Sequence, residues 1–347
     1  MHKSKRIYIV ADIVYNPVKM YLNAMRKLAK GWIRLGHDVE IFSYRRAIFN
    51  LSPIKSKKFA YRFYKSQVDE LLVSQLKHYI PDIVFIGFPR IFDSKSVECI
   101  RQAAPDAVLI GYEVDPWPKL QKNRIETAKK FDIVVATNDG EFLQDYKDAG
   151  VPHCVFMPNV CDPDTDHRYE VGPEWKTDIL WTGTVKHRAN TSENLRERLV
   201  TEFTKRDNCT LYGCFGRPKI GGIDYLYAIS GTCIGAHINA VNSIRMYHSD
   251  RLTQYLAGGA FVLAKRVPDT DLLFKDSVHL RYFDTIDEFF DLADWYLNHE
   301  TERRKIANAG MGWTHERFNC IKIAGYILEL MEKGTYSAPW FNGAVDL

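Results

Sequence analysis

The chain has 347 residues, 46% of them hydrophobic and 26% charged, with a formal net charge of +4. Those values suit a globular protein and exclude a disordered or low-complexity chain. The length suits two domains, and no apolar run approaches the roughly 20 residues that span a bilayer. The mild positive charge permits an anionic ligand or an encounter with a membrane surface and demands neither. The seven cysteines (Cys99, Cys154, Cys161, Cys209, Cys214, Cys233, Cys320) are odd in number and lack CxxC or zinc spacing, so reduced thiols in a cytoplasmic protein are expected.

The first half alternates strands and helices. Met1-His2-Lys3-Ser4-Lys5-Arg6 is basic, but the run that follows has strand length and no small-residue cleavage site, so it reads as a strand from Arg6 to Ala11 rather than a signal peptide. Helical spacing covers Tyr21 to Leu35, Gly36-His37 ends it, and a strand follows from Asp38 to Tyr44. A long helix is expected from Lys57 to His78. Strands follow at Asp82–Gly87, Ala107–Tyr112, Ile133–Thr137 and Cys154–Met157, with helices near 94–104, 120–130 and 141–149. Such alternation implies a parallel sheet covered on both faces.

From Asn159 to Lys176 the chain is acidic and Pro-containing without apolar period. A second alternating series then begins. Strands are expected at Asp178–Trp181, Thr210–Tyr212, Thr232–Ile238, Ala260–Ala264 and His279–Phe283. Helices are expected at Ser192–Lys205 (with Ser192 a plausible cap), Tyr225–Ile229, Ser249–Ala257 and Ile286–Asn298. Residues 301–333 read as helical, broken near Gly310–Trp313 and again at Phe318-Asn319.

The most telling segment is Ser249-Asp250-Arg251-Leu252-Thr253-Gln254-Tyr255-Leu256-Ala257-Gly258-Gly259-Ala260-Phe261. Ser249 is placed to cap a helix through its hydroxyl. A helix start with Arg251 in its first turn suits a phosphate or diphosphate, since free N–H groups and the helix dipole both favour an anion. Gln254 lies one turn on, within reach of a ribose. This stretch resembles the nucleotide-sugar signature of group 1 glycosyltransferases, closest to the CgeB-like spore-maturation branch. Arg251, Leu256, Ala257, Gly259, Ala260 and Phe261 match; the family's ribose-binding acid is Gln254 here, and a second acid of the wider superfamily is Met246. Thr177-Asp178-Ile179-Leu180-Trp181-Thr182-Gly183-Thr184, with a basic residue such as Arg188 after it, resembles the family's phosphate-approaching glycine turn, and Tyr212-Gly213 its pair near the base pocket. In the first half, Glu113-Val114-Asp115-Pro116-Trp117 and Thr137-Asn138-Asp139 resemble family strand ends.

The resemblance implies a GT-B fold: two Rossmann-like parallel-sheet α/β domains facing across a cleft, with a C-terminal helical tail. The expected limits are 1–160 for the acceptor domain, 161–176 for an acidic linker, 177–318 for the donor domain, and 319–347 for a helix and tail packing back toward the first domain. It implies a glycosyltransferase, hexosyl or pentosyl, using a nucleoside-diphosphate sugar, UDP-sugar first, with no cofactor, no metal and retention of configuration. Gly183, Arg188, Ser249 and Arg251 are the candidate diphosphate ligands, and Gln254, Tyr212 and Gly213 the ribose and base contacts. Asp115 and Asp139 are the candidate catalytic carboxylates, though each equally suits capping the next helix. His37 and His237 read first as structural.

Alternatives stay open. An epimerase or hydrolase on the same scaffold, or a nucleotide-sugar-binding protein without turnover, fits the same segments. Asp162-Pro163-Asp164-Thr165-Asp166 and Asp269-Thr270-Asp271 carry the Asp-x-Asp pattern of metal-dependent transferases, but the first falls in the linker and the second follows Pro268 as a helix cap. No P-loop, dinucleotide-binding glycine fingerprint or Gly-x-Ser-x-Gly occurs. Phe59-Ala60-Tyr61-Arg62-Phe63-Tyr64-Lys65 interleaves aromatic and basic residues. Its first reading is a core face backed by a solvated one; its second is a lipid or nucleic-acid contact. The acceptor stays open between a glycan, lipid-linked or protein hydroxyl and a hydroxymethylated base in DNA.

Overall fold

The structure is a computed structural model that describes residues 3–13, 23–54, 56–87, 92–114, 122–151, 153–185 and 195–341. The chain divides into two compact units. The first takes its sheet from β1 (Arg6–Ala11), β2 (Asp38–Ser43), β3 (Ile83–Gly87), β4 (Val108–Glu113), β5 (Ile133–Ala136) and β6 (Cys154–Phe156). Their order is β2-β1-β3-β4-β5-β6, and every pairing is parallel, with Ile7 opposite both Val39 and Ile83. Ile83 to Gly87 is buried at every position, as a strand covered on both faces must be.

Its helices are α1 (Ala24–Arg34), α2 (Tyr44–Leu51), α3 (Lys57–Tyr79), α4 (Ser94–Ala103), α5 (Lys122–Ala128) and α6 (Glu141–Asp148). α3 forms because Ala60, Val68, Leu72 and Leu76 recur on one side and are buried. Ser56 caps its start by accepting from Phe59 N, and Ile80 ends it at φ 52°. The α2 helix corrects the sequence reading, which ran the preceding strand through Tyr44. Tyr44 is buried instead at the start of a helix, its hydroxyl donating to Asp69 Oδ1 at 2.5 Å and its ring 4.4 Å from that of Phe92.

The second unit holds β7 (Thr177–Thr182), α7 (Leu195–Phe203), β8 (Cys209–Tyr212), α8 (Ile223–Gly231), β9 (Thr232–His237), α9 (Asp250–Ala257), β10 (Phe261–Lys265), β11 (Arg281–Phe283), α10 (Ile286–Asn298) and α11 (Glu300–Arg317). The parallel sheet has the order β11-β10-β9-β7-β8. Trp181, Phe203, Phe261, Phe283 and Phe289 form the centre of its core. Gly259, at φ 77°, closes α9, with Ala260 N reaching back to Tyr255 O.

The break expected near Gly310–Trp313 is absent: α11 runs through it. Gly310 is there for close approach, since a Cβ would collide with His279 O, and Gly312 meets nothing. The break at Phe318 is present. Between 161 and 176, Asp162 and Asp166 are buried. Asp162 N donates to Asp166 Oδ2 at 2.7 Å, and Arg168 Nη2 donates to Gly259 O at 2.6 Å, so this segment is tied into the second unit. The last helix, α12 (Cys320–Lys333), starts in the second unit, and from Ile323 the chain clusters with the first. There Trp32 Nε1 donates to Ala324 O at 3.2 Å and the Tyr336 hydroxyl to Phe156 O at 2.5 Å.

Candidate functional site

Parallel sheets bind ligands beyond the carboxyl ends of their strands. In the second unit three such ends are adjacent, those of β9, β7 and β8. After β7 comes Thr182-Gly183, after β8 Gly213, and after β9 Ile238-Asn239; α9 begins beside them. Arg251 joins these pieces. Its Nη1 donates to Thr182 O, and its Nη2 donates to Ile238 O at 2.8 Å. The guanidinium lies 4.1 Å from the Trp181 ring centroid, and Arg196 lies over the same ring at 5.2 Å. A face of an indole attracts such cations.

Arg251 is 9% exposed and takes part in no ion pair among the described residues. Its Nε is buried without a partner. Burial pushes its pKa down, with the nearby Tyr255, Tyr225 and Tyr247 opposing; a guanidinium nonetheless stays charged. Its charge is balanced among the described residues by two carbonyl dipoles and the Trp181 ring face, with no carboxylate beside it.

The glycines beside Arg251 permit close approach. Gly183 sits at φ 124°, where a Cβ would come within 2.8 Å of Arg251 Nη1. Gly183 N donates to Tyr212 O at 2.9 Å, and Gly213 at φ 81° packs against Gly183. Tyr212 is half-buried, with burial and then Asp224 raising its hydroxyl pKa.

Ser249 is at the N-cap position but makes no side-chain cap bond, which corrects the expectation from sequence. Its hydroxyl instead meets His237 Nε2 at 3.2 Å, while its backbone N donates to Asn239 Oδ1 at 3.0 Å. Burial first, then Arg251, holds His237 well below the ordinary imidazole pKa, so the ring is neutral. His237 Nδ1 is buried without a partner, which suits the unprotonated nitrogen. Nε2 then carries the proton and donates to Ser249 Oγ, leaving the serine proton to point elsewhere. Gln254 is buried; its carbonyl oxygen accepts from the Tyr225 hydroxyl at 2.8 Å, and its amide nitrogen makes no hydrogen bond among the described residues. Thr182 Oγ1 and the Tyr255 hydroxyl are 2.9 Å apart.

Six of the candidate residues from the sequence therefore meet at one sheet edge: Gly183, Tyr212, Gly213, Ser249, Arg251 and Gln254. Arg188 and Asp115 lie outside the described residues. Asp139 follows β5 in the first unit and is half-buried; it adds to burial in holding the Tyr336 hydroxyl above its usual pKa. Its neighbour Asn138 is fully buried, with neither amide atom partnered among the described residues, a gap the sequence did not signal. Arg196, His237 and Asn239 were also missed as site residues. The trace of the last two is a His-x-Asn at a strand end.

Of the two Asp-x-Asp segments, Asp269 binds Arg245 at 2.6 Å and Asp271 binds Arg266 at 3.2 Å, in separate ion pairs. Asp269 is the N-cap of the 3-10 turn Thr270–Leu272 but makes no side-chain cap bond there. Among the described residues no three His, Cys, Asp or Glu side chains gather as a metal site.

Two parallel-sheet α/β units of this kind are the GT-B fold, and the solved structures that share it include glycosyltransferases and a putative UDP-N-acetylglucosamine 2-epimerase. Residues 171–329, a little under half of the chain, match the model of a glycosyl transferase-like family. Anabaena HepE in complex with UDP-glucose aligns at 14% identity and a TM-score of 0.60, over 94% of this chain and 99% of that one. Sucrose-phosphate synthase from Thermosynechococcus elongatus aligns at 13% identity and 0.60, over 94% and 98%. An alpha-glucosyltransferase in complex with UDP and a 13-mer DNA containing an HMU base aligns at 10% identity and 0.59, over 95% and 100%. A search of curated protein sequences finds no match.

Proposed function

We propose that this protein is a glycosyltransferase that moves a sugar from a nucleoside-diphosphate donor, UDP-sugar first, to a hydroxyl acceptor. The observation that carries the reading is Arg251: a buried guanidinium without a carboxylate, aimed at the end of a sheet where two glycines clear space. The UDP and UDP-glucose held by the neighbours of this fold supply an anion of the right charge.

The leaving diphosphate gains negative charge as the glycosidic bond breaks, and preorganised cations and N–H groups lower that barrier. Arg251 supplies the cation and the first turn of α9 the N–H groups. Ser249, its own proton turned outward by His237, adds a donor. Because Arg251 already supplies positive charge, the reaction in this reading needs no divalent ion. Gln254 offers its free amide N–H to a ribose oxygen, and Tyr212-Gly213 borders the base. In the first unit, Asp139 and Asp115 are the candidate groups to handle the acceptor proton, and retention follows the resemblance to group 1 enzymes. All seven cysteines are free, in keeping with a reducing cytoplasm. No helix among the described residues is long and apolar enough to cross a membrane.

The test is a thermal-shift panel of UDP-, GDP-, CMP-, ADP- and dTDP-sugars with and without EDTA, followed by turnover assays with and without acceptor. At about 100 times Kd a ligand adds roughly 2.7 kcal/mol, which the panel resolves. A selective shift that survives EDTA and acceptor-dependent turnover are expected. Turnover without acceptor indicates the epimerase or hydrolase, and binding without turnover a carrier. No shift with any nucleotide overturns the reading.

A further inference from the structure

From Ile41 to Val68 the chain holds seven basic residues and no acidic one. This stretch folds as α2, a turn and the first half of α3. Either side of Lys55, which lies outside the described residues, Ser56 N and Ser52 Oγ both donate to Ile54 O, at 2.8 and 2.7 Å. Leu51 and Ile54 are nevertheless 46% and 49% exposed, and Phe63 on α3 is 55% exposed. The sequence reading placed the aromatics of this strip in the core. The structure instead buries Ala60 and Val68, leaves Phe59, Tyr61 and Tyr64 half-buried and turns Phe63 out, its ring 4.6 Å from that of Phe59.

Lys57, Lys58 and Arg62 are exposed, and none of them takes part in an ion pair among the described residues. At roughly 100° per residue, Lys58, Phe59, Arg62 and Phe63 fall within about 140° of one helix face. Cations and large apolar side chains thus share one corner, where α2 ends and α3 begins.

We propose that this corner docks the protein on an anionic lipid surface. Lysine and arginine are drawn to acidic headgroups, and side chains such as Leu51, Ile54 and Phe63 enter the boundary between headgroups and acyl chains. The aliphatic pair decides between lipid and nucleic acid. Single-stranded nucleic acid is held by stacking on aromatic faces, which Leu51 and Ile54 lack. A bilayer accepts them as readily as it accepts Phe63.

The experiment is flotation with vesicles of phosphatidylcholine alone and of phosphatidylcholine mixed with phosphatidylglycerol, at low and high salt. Two variants are compared with the natural chain: Leu51→Ser/Ile54→Ser/Phe63→Ser, and Lys57→Ala/Lys58→Ala/Arg62→Ala. All six positions are exposed. The nucleotide thermal shift is unchanged in both variants if they fold, and it separates this proposal from the donor-site reading.

Binding to the acidic vesicles alone is expected, weakened by salt and reduced about fivefold for each cation removed. The apolar variant loses more than the salt-sensitive part. Full vesicle binding by the apolar variant overturns the proposal, because a merely basic protein would behave that way. So does an absence of vesicle binding, and so does binding to a DNA oligonucleotide, lowered by the same variants, without binding to vesicles.

Discussion

Replacing Arg251 by methionine removes the charge and five donors while keeping a long side chain. In the structure, Thr182 O and Ile238 O lose their partner, and the Trp181 ring loses the closer of its two cations. Each buried carbonyl left unpaired costs about 1–3 kcal/mol, offset by relief of a desolvated charge, so folding weakens by about 2–4 kcal/mol net. Nucleotide binding weakens for a separate reason. A hydrogen bond to a charged group contributes about 1.5–3 kcal/mol, so UDP affinity falls about 10- to 150-fold. In the proposed donor site Arg251 meets the diphosphate and not the base, so uridine, which lacks the diphosphate, is expected to keep its affinity. Calorimetric titration of UDP, UMP and uridine into both proteins, below the melting temperature of the variant, reads this contrast. Equal losses for UDP and uridine would show that Arg251 only shapes the fold. An unchanged UDP affinity would place the diphosphate elsewhere.

Gly183→Ala combines strain at φ 124° with crowding of Arg251, so it lowers stability by about 1–3 kcal/mol and UDP affinity together; Gly216→Ala, at φ 76° with nothing near, lowers stability alone. Melting curves and UDP titrations on both report it. In the proposed donor site, Gln254→Glu keeps an oxygen for the Tyr225 hydroxyl and gives the ribose hydroxyls a charged acceptor, and tightens uridine nucleotide binding about fivefold, the difference between a neutral and a charge-assisted bond; unchanged binding would argue that the residue faces no ribose. Stability also falls with acid. Burial lowers the His248 pKa from 6.5 to about 4, so the unfolded chain takes up the proton first as pH drops. The stabilisation is full above pH 6.5 and shrinks below it, by about 2 kcal/mol at pH 5, and His237 shifts in the same direction. Urea midpoints at pH 7.5 and 5 should show it, and His248→Gln should flatten the slope.

Most of the fold was legible because buried parallel strands announce themselves. Ile83–Gly87 and Phe261–Lys265 are apolar runs bounded by polar turns, and nothing competes with that pattern. The misses came where tertiary contact overrode local signal. Tyr44 looked like a strand end because it is aromatic, but Asp69 and Phe92 draw it into a helix. Gly310 looked like a breaker, yet it is where α11 comes closest to His279. In the site, Arg251 and Gly183 could be read from one short segment each. The Ser249 hydroxyl could not, since its partner is twelve residues away on another element, and a cap and a His-bonded serine have the same sequence. Asn138 gave no sign either, because an unsatisfied amide is a property of the space around it.

The return of the C-terminal helix to the first unit sets an order of events at the ribosome. Trp32 waits for Ala324, and Phe156 O for Tyr336, so the first unit cannot complete its packing until residue 336 has emerged. The second unit, Asn159–Lys322, has all its strands by residue 283 and its own helices by 317. The half made first is therefore finished last, and until then Trp32 and Phe156 lack these partners. Chain interruption late in synthesis, or a change that ties up residues beyond Ile323, should leave the first unit incompletely packed and open to chaperones and aggregation while leaving the later half intact.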